Sequence, residues 1–363
     1  MNFKNKTIWA LGAFAVLAGF SSCGDDDEWN TIGDGKVEMS SSARAFILNE
    51  GSMGKNNSNI VYFDWMSGVV NAKDLFETQN GKKLGDTGND ILAVDNNKLI
   101  VAVNMSNYVA LLDGYGIERS RISFEQYKNL GQVRNVDEEN GIVYAVSYGG
   151  YVSRIRINGN TLEYIDSLKV GERPEDVAES NGKLYVTLQG ADYKDNRMAV
   201  VGSDFKTVSY ATVMQDPMRV LAMDGKIYVQ GYGAAYDSPW GIYDTATGKY
   251  TEMGHATSLA LSNGTVYLAN SQTNWSTFET TTTLSTYDSK TGKANAEFFK
   301  NVPAVIPNST VYSVSVNPFD GTVYLATSDY MSDGVIYAFD AQGNYLRTFS
   351  SYGLNPNKIA FLK

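Results

Sequence analysis

The sequence predicts an all-β fold: a seven-bladed β-propeller closed by pairing of its N- and C-terminal strands. Three observations carry that expectation. A strand–turn–strand pattern recurs at roughly forty-residue intervals, as propeller blades do. Its turns hold Asn-Gly or Asp-Gly, which suit the positive φ of a type I′ hairpin. The two ends of the repeat region each supply half of one repeat.

The repeats run in order along the chain. Asp95-Asn96-Asn97 precedes Leu99-Ile100-Val101, and Glu139-Asn140-Gly141 precedes Ile142-Val143-Tyr144. Ser180-Asn181-Gly182 and Met223-Asp224-Gly225 lead into Leu184-Tyr185-Val186 and Ile227-Tyr228-Val229. Ser262-Asn263-Gly264 and Phe319-Asp320-Gly321 lead into Val266-Tyr267-Leu268 and Val323-Tyr324-Leu325. The second turn residues are Asn97, Gly141, Gly182, Gly225, Gly264 and Gly321, with spacings of 44, 41, 43, 39 and 57. Ala45-Phe46-Ile47-Leu48 reads as a second strand without its first, and Lys358-Ile359-Ala360-Phe361 as a first strand without its second. Joining them completes a seventh blade and removes the free sheet edges. The tyrosines Tyr144, Tyr185, Tyr228 and Tyr267 read as packing between blades.

A second pattern follows each first one. Asp64 with Gly68, Asp244 with Gly248, Asp288 with Gly292 and Asp340 with Gly343 read as the outer hairpins of four-stranded blades. These carboxylates suit turn chemistry better than metal binding. No helix is expected.

Composition narrows function. The 363 residues include 24 Tyr and 34 Gly but 7 Pro, as in folded β structure with tight turns. Net charge is -10, which repels phosphate backbones, so nucleic acid is not an expected partner. There is one cysteine, Cys23, and one histidine, His255.

Residues 1–22 read as a lipoprotein signal peptide: Lys4 and Lys6, then an apolar run too short to span a bilayer comfortably. Gly19-Phe20-Ser21-Ser22-Cys23 resembles a bacterial lipobox, with Phe20 where Leu is usual. The resemblance implies lipidation of Cys23. The run Gly24-Asp25-Asp26-Asp27-Glu28 suits either a solvated linker or a surface-export signal. Residues 23–42 thus hold the lipidated Cys, the acidic run and a tether, and residues 43–363 hold the propeller. The expected location is the outer membrane, anchored by lipid only and facing the exterior.

In a propeller the A–B and C–D turns share one face, and the B–C loops and D–A connections share the other. The first face carries short turns and the second long, irregular loops, which is where a rigid scaffold presents a site. The expected B–C loops span 49–59, 104–108, 147–151, 189–197, 231–240, 270–278 and 328–333. Their rings are Tyr108, Tyr148, Tyr151, Tyr193, Tyr232, Tyr236, Trp240, Trp275, Phe278 and Tyr330. Rigid amphipathic rings give contact area at low entropic cost. The starts of the A strands should ring the channel mouth with Asn89, Arg134, Asn135, Arg173, Glu175, Asp176, Arg219 and His255. This ring suits either ligand contact or a self-satisfied polar network.

A catalytic triad or a His-based metal site would have only His255 to use. No enzyme activity, cofactor or metal is expected. Convergence of Asp90, Asn135, Glu175 and Asp176 on one point would instead favour a calcium-dependent lactonase or lyase.

The lipobox, the acidic run, the opening Phe46-Ile47-Leu48-Asn49-Glu50-Gly51-Ser52 and the degenerate blades together resemble the cobalamin-capturing surface lipoproteins of gut bacteria. The resemblance covers essentially the whole chain. It implies a corrinoid (vitamin B12) as ligand, bound intact, and an outer-membrane TonB-dependent corrinoid transporter as partner. His255 would be the one candidate for cobalt coordination, although ordinary hydrogen bonding suits it better. The competing reading is a surface glycan- or peptide-binding propeller.

Overall fold

Asn140-Gly141, Asn181-Gly182, Asp224-Gly225 and Asn263-Gly264 each place two successive residues at positive φ. That backbone twist matches the twist of paired strands, so each turn closes an A–B hairpin. A computed structural model describes residues 36–95 and 97–363. It arranges these hairpins in seven antiparallel sheets whose inner strands touch in sequence and close on themselves. The expected ring of seven blades is therefore what the chain forms. The signal peptide, Cys23, the acidic run and Asn96 lie outside the described residues.

Blade 1 joins the two ends, with strands Pro356–Leu362, Arg44–Asn49 and Asn59–Asp64. Ile47 faces Ile359 and Ala45 faces Phe361. Blade 2 holds Gly88–Val94, Lys98–Val103, Tyr108–Asp113 and Glu118–Ser123. Blade 3 holds Val133–Glu139, Ile142–Ser147, Tyr151–Asn158 and Thr161–Lys169. Blade 4 holds Pro174–Ser180, Lys183–Leu188, Arg197–Val201 and Val208–Thr212. Blade 5 holds Pro217–Met223, Lys226–Gly231, Pro239–Asp244 and Lys249–His255. Blade 6 holds Ser258–Ser262, Thr265–Asn274, Glu279–Asp288 and Lys293–Asn295. Blade 7 holds Thr310–Val316, Val323–Ser328, Val335–Phe339 and Tyr345–Ser350.

The core lies in the seams between blades. Strand residues alternate faces, so one strand feeds two seams. Leu184, Val186 and Leu188 pack against blade 3, while Tyr185 between them packs against blade 5. Ile227 and Val229 pack toward blade 4 and Tyr228 toward blade 6. The blade tyrosines are packing residues, as expected. Side chains also bolt neighbouring inner strands together. Asp137 Oδ2 accepts from Glu179 N at 2.6 Å, Asp176 Oδ2 from Val220 N at 3.0 Å, and Ser315 Oγ from Ile359 N at 3.1 Å.

The outer turns behave as sequence chemistry dictates. Asp244 Oδ1 accepts from Ala246 N and Thr247 N, and Asp288 Oδ1 from Lys290 N and Thr291 N, at 2.8–3.0 Å. Those backbone bonds hold both carboxyls below their ordinary range. They are turn caps.

Two features differ from expectation. A short helix, Leu75–Asn80, stands where blade 1 lacks a full fourth strand. Asp74 caps it by accepting from Glu77 N at 3.1 Å, and Leu75 and Phe76 are buried beneath it. Six residues are too few to show a helical period in sequence. The second difference is at the expected tether. Val37 and Met39 are buried in the seam of blades 1 and 2, and Val37 N donates to Gln79 Oε1. The 57-residue interval between the last two hairpins is taken up by a long connection that packs Phe299 and Ile306 into blade 7. Among the described residues no helix is long and apolar enough to cross a membrane.

Candidate functional site

The B–C loops stand on one face, as the strand order requires. Their first residues are fixed by backbone bonds to the preceding D–A connection. Gln189 N donates to Arg173 O and Tyr232 N to Asp216 O, at 3.1 and 3.0 Å. Ser238 N then returns to Tyr232 O, closing a compact loop. In this face several large rings sit at positive φ: Tyr193 at 60°, Tyr236 at 56°, Phe278 at 59° and Tyr330 at 63°. Bulky residues adopt that region only under constraint.

The expected rim divides into three groups. Tyr193, Tyr232, Tyr236, Trp275, Phe278 and Tyr330 are exposed, with Trp275 and Phe278 both at 77%. The blade 6 hairpin is longer than expected and reaches Asn274 before turning, so both rings sit at its tip. Tyr148 and Tyr151 are half-buried. Tyr108 and Trp240 are buried and belong to the core, which corrects their expected place. Both lie inside C strands. The Tyr108 hydroxyl donates to Leu84 O, and the Arg121 guanidinium covers its ring at 3.6 Å. Trp240 packs edge-on against Tyr287 in the seam of blades 5 and 6.

The channel mouth is a connected polar network. Arg134 makes a two-pronged pair with Glu175, which also accepts from the Tyr148 hydroxyl at 3.0 Å. Asn135 Nδ2 donates to Glu175 O at 2.8 Å. Arg219 of blade 5 crosses the channel, donating to Asn135 Oδ1 of blade 3 at 2.7 Å and to Asn357 Oδ1 of blade 1 at 3.2 Å. Asn357 in turn donates to Asn89 O at 2.5 Å, and Lys358 Nζ to Asp90 Oδ1 at 2.7 Å. Burial pushes the Asp176 carboxyl up to about 7, although Arg219 opposes the shift. Desolvation also raises Asp137, to about 6.

Each carboxylate is engaged by its own donors. Asp90 takes Lys358, Glu175 takes Arg134, and Asp176 takes Val177 N and Val220 N. Among the described residues no three His, Cys, Asp or Glu side chains converge on a cation-sized point. His255 does not join the mouth. It ends the D strand of blade 5, and its Nδ1 lies 2.9 Å from Asp237 O on the outer side. The sequence placed it at the start of an A strand because blade 6 begins three residues later, at Ser258.

Three residues of the site, Glu50, Met53 and Met331, were not singled out as contacts by the sequence, whereas Tyr312 was expected at the start of an A strand. Glu50 projects into the mouth, accepts a hydrogen bond from the Tyr312 hydroxyl, and is pushed up by burial. Tyr312 packs edge-on against Tyr330 at 5.9 Å. Met53 and Met331 stand exposed on the same face at 71% and 90%. Glu50 had a sequence signal, in the Asn49-Glu50-Gly51 opening. The methionines had none, since only rings were sought.

No family model matches this chain, and no curated protein matches it. Solved structures do. A Bacteroides fragilis protein assigned provisionally as a 6-phosphogluconolactonase aligns with a TM-score of 0.62 at 12% identity, over 90% of this chain and 100% of its own. A protein of unknown function from Bacteroides caccae aligns at 0.51 with 10% identity, over 89% and 100%. A streptogramin B lyase aligns at 0.56 with 13% identity, over 75% and 86%. At such identities the likeness establishes the fold: this chain is a seven-bladed β-propeller.

Proposed function

We propose that this chain is a capture protein that binds a corrinoid on its loop face and does no chemistry on it. The observation that carries the reading is the set of exposed rings held at positive φ on that face, Tyr193, Tyr236, Phe278 and Tyr330. A strained backbone that leaves a large ring mostly in water, as at Tyr236 and Phe278, gains little in the free protein, so a bound partner is its natural counterpart. A corrinoid is wide, partly apolar and fringed with amides. Exposed rings around a mouth of Asn, Arg and Glu groups suit that shape and chemistry.

The same reading extends to the chain's place in the cell. Lipidated Cys23 anchors the protein to the outer membrane, and bound ligand passes to a TonB-dependent corrinoid transporter. The mouth network serves as a preorganised floor, since its charges are already matched.

The test is calorimetric titration of the chain from Gly24 onward with cyanocobalamin. One-to-one binding that is lost in Trp275→Ala and Tyr236→Ala supports capture. Absence of heat and of comigrating red ligand on gel filtration overturns it, and leaves a glycan- or peptide-binding propeller as the reading to screen.

A further inference from the structure

We infer that the mouth carries an anion seat built on Arg173, which receives a singly charged oxyanion of the ligand, a phosphodiester or a carboxylate. The inference rests on the capture reading above and names the chemistry of one part of the ligand.

Arg173 is held as a guanidinium without a carboxylate. Its plane lies between two rings, 4.4 Å from the Tyr148 centroid and 4.5 Å from that of Tyr193. Nη2 donates to the Tyr193 hydroxyl at 2.6 Å. Nε is buried and has no hydrogen-bond partner. Its backbone sits at φ 48° directly before Pro174, a position where an extended conformation is the norm. Asp216 before Pro217 and Asn355 before Pro356 take the same positive φ, so the repeating D–A connection sets this backbone and fixes where the Arg173 side chain starts.

The surrounding charges leave it unpaired. Glu175 is taken by Arg134, whose guanidinium lies on the same Tyr148 ring at 5.0 Å. Asp216 spends Oδ1 on Gln189 Nε2 at 3.0 Å. Glu172 is exposed beside it on the chain. Among the described residues Arg173 makes no ion pair, while Arg134, Arg154 and Arg197 each do. A guanidinium held against two rings without a carboxylate partner is preorganised for a planar or tetrahedral oxyanion. It sits at the junction of blades 3 and 4, against the exposed Tyr193 ring of the loop face, so a ligand seated on that face can set its charge on Arg173.

Two measurements test this on the chain from Gly24 onward. The first is thermal melting in inorganic phosphate against chloride at equal ionic strength. The wild type gains stability in phosphate and Arg173→Gln does not; equal responses in both proteins, or none in either, overturn the seat. The second is titration with cyanocobalamin, which has a phosphodiester, and with dicyanocobinamide, which lacks it. Arg173→Gln weakens cyanocobalamin roughly tenfold and leaves dicyanocobinamide unchanged. Equal loss on both ligands, or on neither, overturns the seat while capture stands. If the wild type binds no corrinoid, capture fails and the phosphate melts alone decide the seat. Arg173→Met keeps the stem between the two rings and carries the same expectations should Gln fail to fold.

Discussion

The two faces of the ring meet the same backbone demand with different residues. On the turn face, positive φ in the A–B hairpins falls on Asn140, Asn181, Asp224 and Asn263, each followed by glycine. Those types adopt the left-handed region at little cost. On the loop face it falls also on Tyr193, Tyr236, Phe278 and Tyr330. Phe205 shows what a ring at positive φ needs on the turn face: it is buried, under the Arg154 guanidinium at 4.1 Å. On the loop face Tyr193 lies against Arg173 and Tyr330 against Tyr312, but Tyr236 and Phe278 stand in water at 74% and 77% exposure. The largest exposed rings, Tyr236, Trp275 and Phe278, stand on the loop face with Met53 and Met331, whereas the turn face exposes Met66, Val69, Leu346 and, in part, Phe319. The turn face is built for stability, and the loop face holds strain and apolar surface that folding does not require.

The sharpest way to break this division is with its two tryptophans. Trp240→Ala empties a packed seam and costs about 3–5 kcal/mol, read as the urea midpoint. Trp275→Ala leaves that midpoint within about 0.5 kcal/mol of wild type and weakens ligand binding. A comparable large effect belongs to the floor of the mouth. Arg134→Ala strands the buried Glu175 carboxylate and costs about 3–5 kcal/mol by the same measurement. A small loss there would mean that the network is loose and the loop face has no fixed floor.

Next comes pH. Folded Asp176, with its carboxyl near 7 against an ordinary 3.8, keeps a proton that the unfolded chain has released. The native state binds more protons in that window, so stability falls as pH rises from 3.8 toward about 7. Asp176→Asn keeps an oxygen for Val220 N and removes that slope, a difference on the order of 1–3 kcal/mol between the ends of the window. Urea melts at a series of pH values show it. An unchanged slope assigns the titration to Asp137 or Glu50.

The smallest effects sharpen the comparison itself. Gly182→Ala forces a methyl onto φ 77° and costs about 1–2 kcal/mol without touching ligand binding. Tyr236→Asn goes the other way. It relieves the backbone and gains up to about 1 kcal/mol in thermal stability, while ligand affinity drops. A loss of stability in Tyr236→Asn would mean that the ring packs more than its exposure indicates.

The fold was legible because its determinants are local. A type I′ turn needs Asn-Gly or Asp-Gly at one place, alternation needs two residues, and six hairpins with half a blade at either end leave one way to close. The turn carboxylates were legible for the same reason: Asp244 and Asp288 bind amides two and three residues away. The site was less so. The sequence identified the face that carries the long loops, but could not separate Trp275 from Trp240 or Tyr236 from Tyr108, because burial depends on which strand of a neighbouring blade lies against each ring. It could not show that Arg219 crosses to Asn357, 138 residues away, or that Glu50 meets Tyr312. Local backbone chemistry fixed the blades and their order. Only closure of the ring brought distant side chains within hydrogen-bond reach, and so decided which of them pair and which, like Arg173, stand without a carboxylate partner.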